Sequence, residues 1–357
     1  MTEFRSFVDR VVRPNAEDFD RAGEIPAWVL EEVSAAGYWG AVLDGDMVRF
    51  GALHEEIGRG CSSLRSLLTV HSMVSYAVDR WGTAAAREKW LPQLASGRVL
   101  GGFCLTEAEA GSDCAALVAT AVPHEGGYRI NARKKWTTGG QIAGLLLVFA
   151  RTERGLSAFV VPGDAPGVKR TPIGDVLGTR ASMMADIELV DCEVGADSLV
   201  GAEGMGLAVI TGALDIGRYS VACGSVGITQ ACLEAVTAHC TERVQGGSVL
   251  AEHQLVQKMI TEMAVNVRAA RLLCVEAGES KDRGDPETII ATCVAKYFAS
   301  TTAMRAAGDA VQLHGAVGCA DGHPVSRYFR DAKVMEIIEG STQIQELLIA
   351  RDALRGR

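Results

Sequence analysis

In the stretch VMEIIEGSTQIQELLIA (residues 334–350) one carboxylate, Glu339, stands between a pair of isoleucines and Gly340. An ionised group is seldom set among aliphatic side chains unless a partner pairs with it or a reaction uses it. A carboxylate sheltered from water has a raised pKa and accepts a proton more readily than a solvated one, so the chemistry on offer is general-base catalysis. The plain alternative is a helix junction, with Gly340 stopping one helix and Thr342 and Gln345 forming a capping box for the next. Glu336, one turn earlier, is the competing base.

Two further stretches carry side chains suited to a flat ligand. TEAEAGSD (106–113) places Thr106 and Ser112 around a glycine turn, and KKWTTGG (134–140) sets Trp136 beside Thr137 and Thr138. Each alone reads equally well as turn chemistry. Together, an indole plate and hydroxyls at strand ends could hold a heterocycle. GAEGMG (201–206) is not spaced as GxGxxG and no βαβ unit encloses it, so it reads as the loop that leads into a helix.

The elements that must position these residues fall into three zones. Residues 1–99 have helical apolar spacing, as in PAWVLEEVSAAGYWG. Residues 100–200 change to short β-branched and aromatic runs punctuated by glycine, such as GLLLVFART and LSAFVVPG. Residues 201–357 return to long helical patterns. Helices, then sheet, then helices argues for α+β and against a doubly wound sheet, which alternates strand and helix throughout.

The 357 residues are 48% hydrophobic, enough for a substantial core, and 40 glycines against 9 prolines suit closely packed helices. A net charge of −9 gives no electrostatic case for nucleic acid or an anionic membrane. No uninterrupted apolar run reaches the length of a membrane span, and the charged N-terminus does not read as a signal peptide. Ten scattered cysteines, without CxxC or zinc-ligand spacing, read as reduced thiols of a cytoplasmic protein with no metal site.

AVQLHGAVG (310–318) and RYFRDAKVMEIIEGSTQ (327–343), with EEIGRGCSS, WLPQLASGR, TEAEAGSD, KKWTTGG, LDIGR and EHQLVQKMI, resemble the acyl-CoA dehydrogenase family of flavoproteins over most of the chain. The resemblance implies that family's fold: an N-terminal α-helical domain, a central β-barrel-like domain and a C-terminal four-helix bundle. It implies FAD, with Thr106 and Thr138 bonding the isoalloxazine, Trp136 beside it, and Ser112 bordering flavin and thioester. Gln312, Gly315 and Arg243 resemble residues that reach the FAD pyrophosphate from a neighbouring subunit, and Ser341 and Gln343 match positions near the ribityl and adenosine portions. A homodimer or homotetramer is therefore implied. Glu339 falls where the family places its base, which removes a thioester α-proton as hydride leaves the β-carbon for flavin N5. Asp215 and Arg218 match positions near the thioester. Relatives that carry the base on another helix place it at the position held here by Gly217.

Two departures from the family pattern bear on the ligands, the first on substrate and the second on the cofactor's adenosine. CSSLRSLLTVHSM (61–73) presents Arg65 on a helix that the resemblance places at the far end of the acyl pocket, where a guanidinium suits a short oxygen-bearing acyl group better than an alkyl tail. The alternative is that Arg65 pairs with a structural acid or points to solvent. His71, on the same helix, reads as a packed core histidine. This helix resembles the branch acting on acyl or peptidyl carrier protein thioesters in polyketide and nonribosomal peptide pathways, most closely the hydroxymalonyl-carrier-protein dehydrogenases of methoxymalonyl biosynthesis. An electron-transfer flavoprotein or another acceptor is implied as partner. A short-chain acyl-CoA dehydrogenase and a flavin oxidase or monooxygenase are the alternatives. The second departure is Gly246, where an aromatic residue usually packs near the adenine.

Overall fold

The change of apolar period along the chain is a change of architecture. The computed structural model describes residues 2–355. Six helices come first: α1 (Thr2–Phe7), α2 (Ala16–Ala22), α3 (Ala27–Ala35), α4 (Met47–Gly60), α5 (Ser62–Trp81) and α6 (Ala84–Ala95). Eight strands follow: β1 (Gly101–Cys104), β2 (Thr120–His124), β3 (Gly127–Thr137), β4 (Leu145–Thr152), β5 (Gly155–Pro162), β6 (Val168–Pro172), β7 (Ala185–Gly195) and β8 (Leu199–Val200). Helix α7 (Gly206–Glu242) then leads to the hairpin β9 (Val244–Gln245) and β10 (Ser248–Val249). Helices α8 (Gln254–Arg283), α9 (Thr288–His314), α10 (Pro324–Met335) and α11 (Thr342–Arg355) complete the bundle.

The sheet runs β6-β7-β3-β2-β4-β5-β8, with β1 parallel to β4 off that path. Strand β4 shows why its sequence is apolar without alternation. Leu145, Leu147 and Phe149 pack with Val74, Val78, Val209 and Ile210 of the flanking helices. Leu146, Val148 and Ala150 point the other way, into a core with Ile130, Phe159, Ile187 and Leu189. That second core is built from strands and their connections alone, the interior of a curled sheet. Both faces of β4 are dry, so neither can be polar.

Helix α7, about 55 Å long at 1.5 Å per residue, is the spine of the molecule. It is long and apolar enough to cross a membrane by length and composition, yet two-thirds (67%) of its most apolar stretch is buried within the protein. Its crossing with α4 explains part of the glycine content. A Cβ on Gly58 would lie 2.6 Å from the Gly224 carbonyl oxygen, so these helices meet backbone to backbone. Charges fasten the crossing at its edge: Arg59, itself 1% exposed, binds Asp9, Glu56 and Glu234.

Candidate active site

Helix α10 ends at Met335, and the chain turns through residues 336–341 before α11 begins. The turn needs two successive left-handed residues, Glu339 at φ +55° and Gly340 at φ +91°. Glycine adopts this freely; glutamate does so at a cost of about 1–2 kcal/mol. The strained step is held by donors on its carbonyls. Arg218 Nε donates to the Glu339 oxygen (3.1 Å), and Gln345 Nε2 reaches both the Glu339 (3.4 Å) and Gly340 (3.0 Å) oxygens. The expected capping box is not formed. Thr342 lies inside the helix, its hydroxyl donating back to the Glu336 carbonyl, and the Gln345 amide is spent on the turn.

This geometry carries the Glu339 carboxyl onto α7. A Cβ on Gly217 would stand 2.6 Å from Glu339 Oε2 and 2.8 Å from Met73 Sδ. The space for an acid at 217 is therefore the space that the Glu339 carboxylate fills. As a residue Glu339 keeps some accessible surface, but its carboxyl is sunk in protein, and burial pushes its pKa up to about 7 against the opposing charges of Arg218, Arg65 and Lys296. The carboxyl is the better guide to the chemistry, since the titrating atoms are there. Among the described residues no group donates a hydrogen bond to that carboxylate. Glu336 instead pairs with Lys333 at 2.8 Å on the outer side of α10.

Arg65 neither meets a structural acid nor reaches solvent. It is fully enclosed, with no carboxylate within ion-pair distance among the described residues. Its guanidinium donates to Thr69 (2.9 Å), Ser66 (2.8 Å) and the sulfur of Met335 (3.1 Å), and among the described residues Nε has no partner. Its stem crosses α7 at Gly224, whose Cβ would come within 2.5 Å of Arg65 Cδ. Burial lowers its pKa to about 10, with Glu339 the foremost of the charges that hold it up. Thr69 in turn meets Ser220 at 2.6 Å. Asp215 is tied to Lys281, leaving its other oxygen unpaired. His71 is a core histidine as read: Nδ1 accepts from Gly101 N (3.1 Å), Nε2 lies 3.1 Å from the Leu94 carbonyl, and burial lowers its pKa to about 4.

On the sheet side, β3 slips register against β7 between Lys134 and Thr137. The slip leaves Trp136 left-handed, at φ +60°, and 55% exposed, an indole turned out of the ladder. The Lys135 amide donates to the Thr106 carbonyl (2.8 Å), so the loop after β1 is fastened beside that indole. The Thr106 and Thr138 hydroxyls have no protein partner among the described residues, and Ser112 lies exposed further along the loop. A free plate flanked by free hydroxyls fits a flavin ring. Beneath them a buried pair, Lys134–Glu107 at 2.6 Å, anchors the loop, with Glu107 also accepting from the amides of Val118 and Ala119.

The remaining expected contacts lie elsewhere. Ser341 opens α11 and Gln343 is exposed on its first turn. Arg243, Gln312 and Gly315 are exposed at the far end of the bundle, where His239 of α7 stacks on His314 of α9 (4.3 Å). Gly246 turns the β9–β10 hairpin there, beside an open pocket of about 590 Å³. His253 Cε1 is 3.8 Å from where a Cβ at 246 would stand.

Family models for the acyl-CoA dehydrogenase N-terminal, middle and C-terminal domains match residues 1–98, 102–192 and 204–354. The chain belongs to the acyl-CoA dehydrogenase family. As such it is an FAD-dependent oxidoreductase that acts on acyl thioesters. It is 34% identical to a glutaryl-CoA dehydrogenase of Desulfococcus multivorans, over 99% of this chain and 95% of that one. Among solved structures, a glutaryl-CoA dehydrogenase in complex with glutaryl-CoA superposes with TM-score 0.95 at 33% identity, covering 100% of this chain and 94% of the other. FkbI, described as serving biosynthesis of the methoxymalonyl extender unit of a polyketide, superposes with TM-score 0.91 at 32% identity, covering 98% and 99%.

Several residues of this acyl-CoA dehydrogenase site escaped the sequence reading. Lys296, the Lys134–Glu107 pair, and the hydroxyls of Ser66 and Thr69 all touch it. Lys296 was open to detection by the rule that singled out Glu339, being a lone charge in the apolar run ATCVAKYFAS.

Proposed function

We propose that this dehydrogenase oxidises a short, oxygen-bearing acyl thioester, with Glu339 as base and Arg65 as the group that recognises the acyl oxygen. The carrying observation is Arg65: a buried cation near the base whose side-chain partners among the described residues are two hydroxyls and a thioether, with none for Nε. A buried charge without a counter-charge is costly, and a substrate carboxylate would complete it bidentately. One relative is named for glutaryl-CoA and another, FkbI, is described as serving biosynthesis of a methoxymalonyl unit, and both of these acyl groups bear a second carboxyl function. Met335 covers the guanidinium, and its unbranched thioether can swing aside to admit the ligand. In this proposal the thioester is carried by a carrier protein of polyketide or nonribosomal peptide biosynthesis, of hydroxymalonyl type; the likeness to FkbI is in keeping with the polyketide setting, and the likeness to glutaryl-CoA dehydrogenase with a CoA ester.

In this reading Glu339 takes the proton as hydride leaves the neighbouring carbon, or takes a hydroxyl proton where the oxidised carbon bears oxygen. Bound FAD supplies the hydride acceptor. Thr106, Thr138 and Trp136 would hold and orient the ring, with Ser112, Ser341 and Gln343 as further residues that would contact the cofactor. Arg218 and Asp215, the latter locked by Lys281, line the thioester side. Arg243, Gln312 and Gly315 serve a second copy. Arg243 stands 26 residues beyond Gly217 along α7, about 39 Å at 1.5 Å per residue, further than one dinucleotide spans. An electron-transfer flavoprotein or similar acceptor would serve as the redox partner. All ten cysteines are free and eight of them are buried, in keeping with a reducing cytoplasm.

The full enclosure of Arg65 favours a second reading, in which the guanidinium is structural and the substrate is a plain short-chain acyl-CoA. Anaerobic flavin reduction separates the two. Butyryl and glutaryl groups, each on CoA and on holo-carrier protein, are offered to the parent and to Arg65→Met. The proposal expects the parent to prefer the carboxylated group and Arg65→Met to lose about 1.5–3 kcal/mol of that preference, the worth of a hydrogen bond to a charged group. An unchanged preference rejects it.

A further inference from the structure

We propose that Lys296 is a positioning residue for Glu339, clamping from beneath the carbonyls on either side of it and setting a positive charge behind its carboxylate. The inference rests on reading Glu339 as the base. Lys296 lies on the inward face of α9 and is fully buried, with no carboxylate within ion-pair distance among the described residues. Its ammonium points out of the helix at the junction, 2.8 Å from the Gly340 oxygen and 3.5 Å from the Glu336 oxygen. The Glu336 oxygen also receives the amide of Thr342 at 2.9 Å, so one ammonium and one amide close both ends of the turn. A backbone held left-handed at two successive positions persists only where its surroundings over-determine it. Arg218 and Gln345 grip the step from its other sides.

A neutral donor could hold a carbonyl equally well, so the choice of a cation needs its own reason. Burying an ammonium carries a large desolvation cost, and no acid repays it by direct contact. The charges facing Glu339 are Arg218 from α7, Arg65 from α5 and Lys296 from α9. The titratable groups facing Lys296 are Glu339 first, then Arg218 and Glu336, and the Cys293 thiol, which burial keeps protonated, with the Asp215–Lys281 pair beyond Cys293. Burial lowers Lys296 to about 8, while Glu339 is raised to about 7. Each therefore holds the other in its charged form. Without the ammonium, the carboxylate loses one of three charges that oppose its desolvation and takes up its proton at a higher pH.

The test reads the titration directly and needs no substrate. In FAD-loaded protein, pH-difference infrared spectra follow the carbonyl stretch of the protonated Glu339 carboxyl, assigned by its loss in Glu339→Gln. Lys296→Gln keeps a donor for the Gly340 carbonyl but removes the charge; Lys296→Met removes both. The proposal expects the midpoint to rise by about one pH unit in each. A midpoint unmoved in variants that hold FAD overturns it, because a purely structural lysine could be replaced without changing proton affinity. If Lys296→Met fails to hold FAD, Lys296→Gln decides alone. Failure of the underlying reading shows separately, as flavin reduction by glutaryl-CoA or butyryl-CoA that survives in Glu339→Gln.

Discussion

Glu339 and Gly217 show how one residue can settle the place of another. The Glu339 carboxyl occupies the volume that a side chain at 217 would need, so this site has room for one acid, approached from one helix or the other. The cost of keeping that acid dry has a predictable pH dependence. Its folded pKa, about 7, lies above the ordinary 4.5, so between those values the folded protein holds a proton that the unfolded chain has released. Stability therefore falls as pH rises through that window. Glu339→Gln removes the penalty and is expected to be more stable than the parent by about 1–2 kcal/mol at pH 8, with the gain shrinking toward pH 4.5. Urea unfolding of both proteins at the two pH values checks this. At this scale Glu339 was legible because a carboxylate interrupts an apolar run. The enclosure of Arg65 was not legible, since nothing in its own helix reveals that Met335 and Gly224 close over it.

Among the elements, β3 does the most for the site. Its register slip turns Trp136 outward, and its Lys134 crosses beneath the strand to hold Glu107. Lys134 and Glu107 are both buried, so removing one leaves the other uncompensated. Lys134→Met is expected to cost about 3–5 kcal/mol and to weaken FAD binding, because the loop carrying Thr106 and Ser112 depends on that pair. Thermal denaturation and flavin fluorescence report the two effects. The strands themselves were readable from β-branched runs between glycines. The slip was not, because a bulge is set by its partner strand. The capping box failed for a related reason: Thr342 and Gln345 have the right spacing, but the strained turn before them competes for the same amide.

For the whole molecule, the order of helices, sheet and helices follows from apolar period alone, and the structure has that order. What the single chain displays is a wide separation between the two groups of residues proposed to hold the cofactor. Thr106, Trp136 and Thr138 sit on the sheet, while Arg243, Gln312 and Gly315 lie at the remote end of α7 and α9. The holoprotein is accordingly expected to sediment as a dimer or tetramer, and Arg243→Ala to lower FAD affinity while leaving the Glu339 titration in place. A monomer that retains FAD stoichiometrically would contradict that arrangement.

The base itself is tested most directly by anaerobic stopped-flow reduction of the bound flavin, comparing the parent with Glu339→Gln across pH. With a thioester that reduces the parent, the rate should rise with pH about a midpoint near 7, as the carboxyl ionises. Glu339→Gln should keep its yellow cofactor and reduce it at least about 10²–10⁴-fold more slowly at every pH. Reduction at the parental rate in Glu339→Gln would contradict the assignment of Glu339.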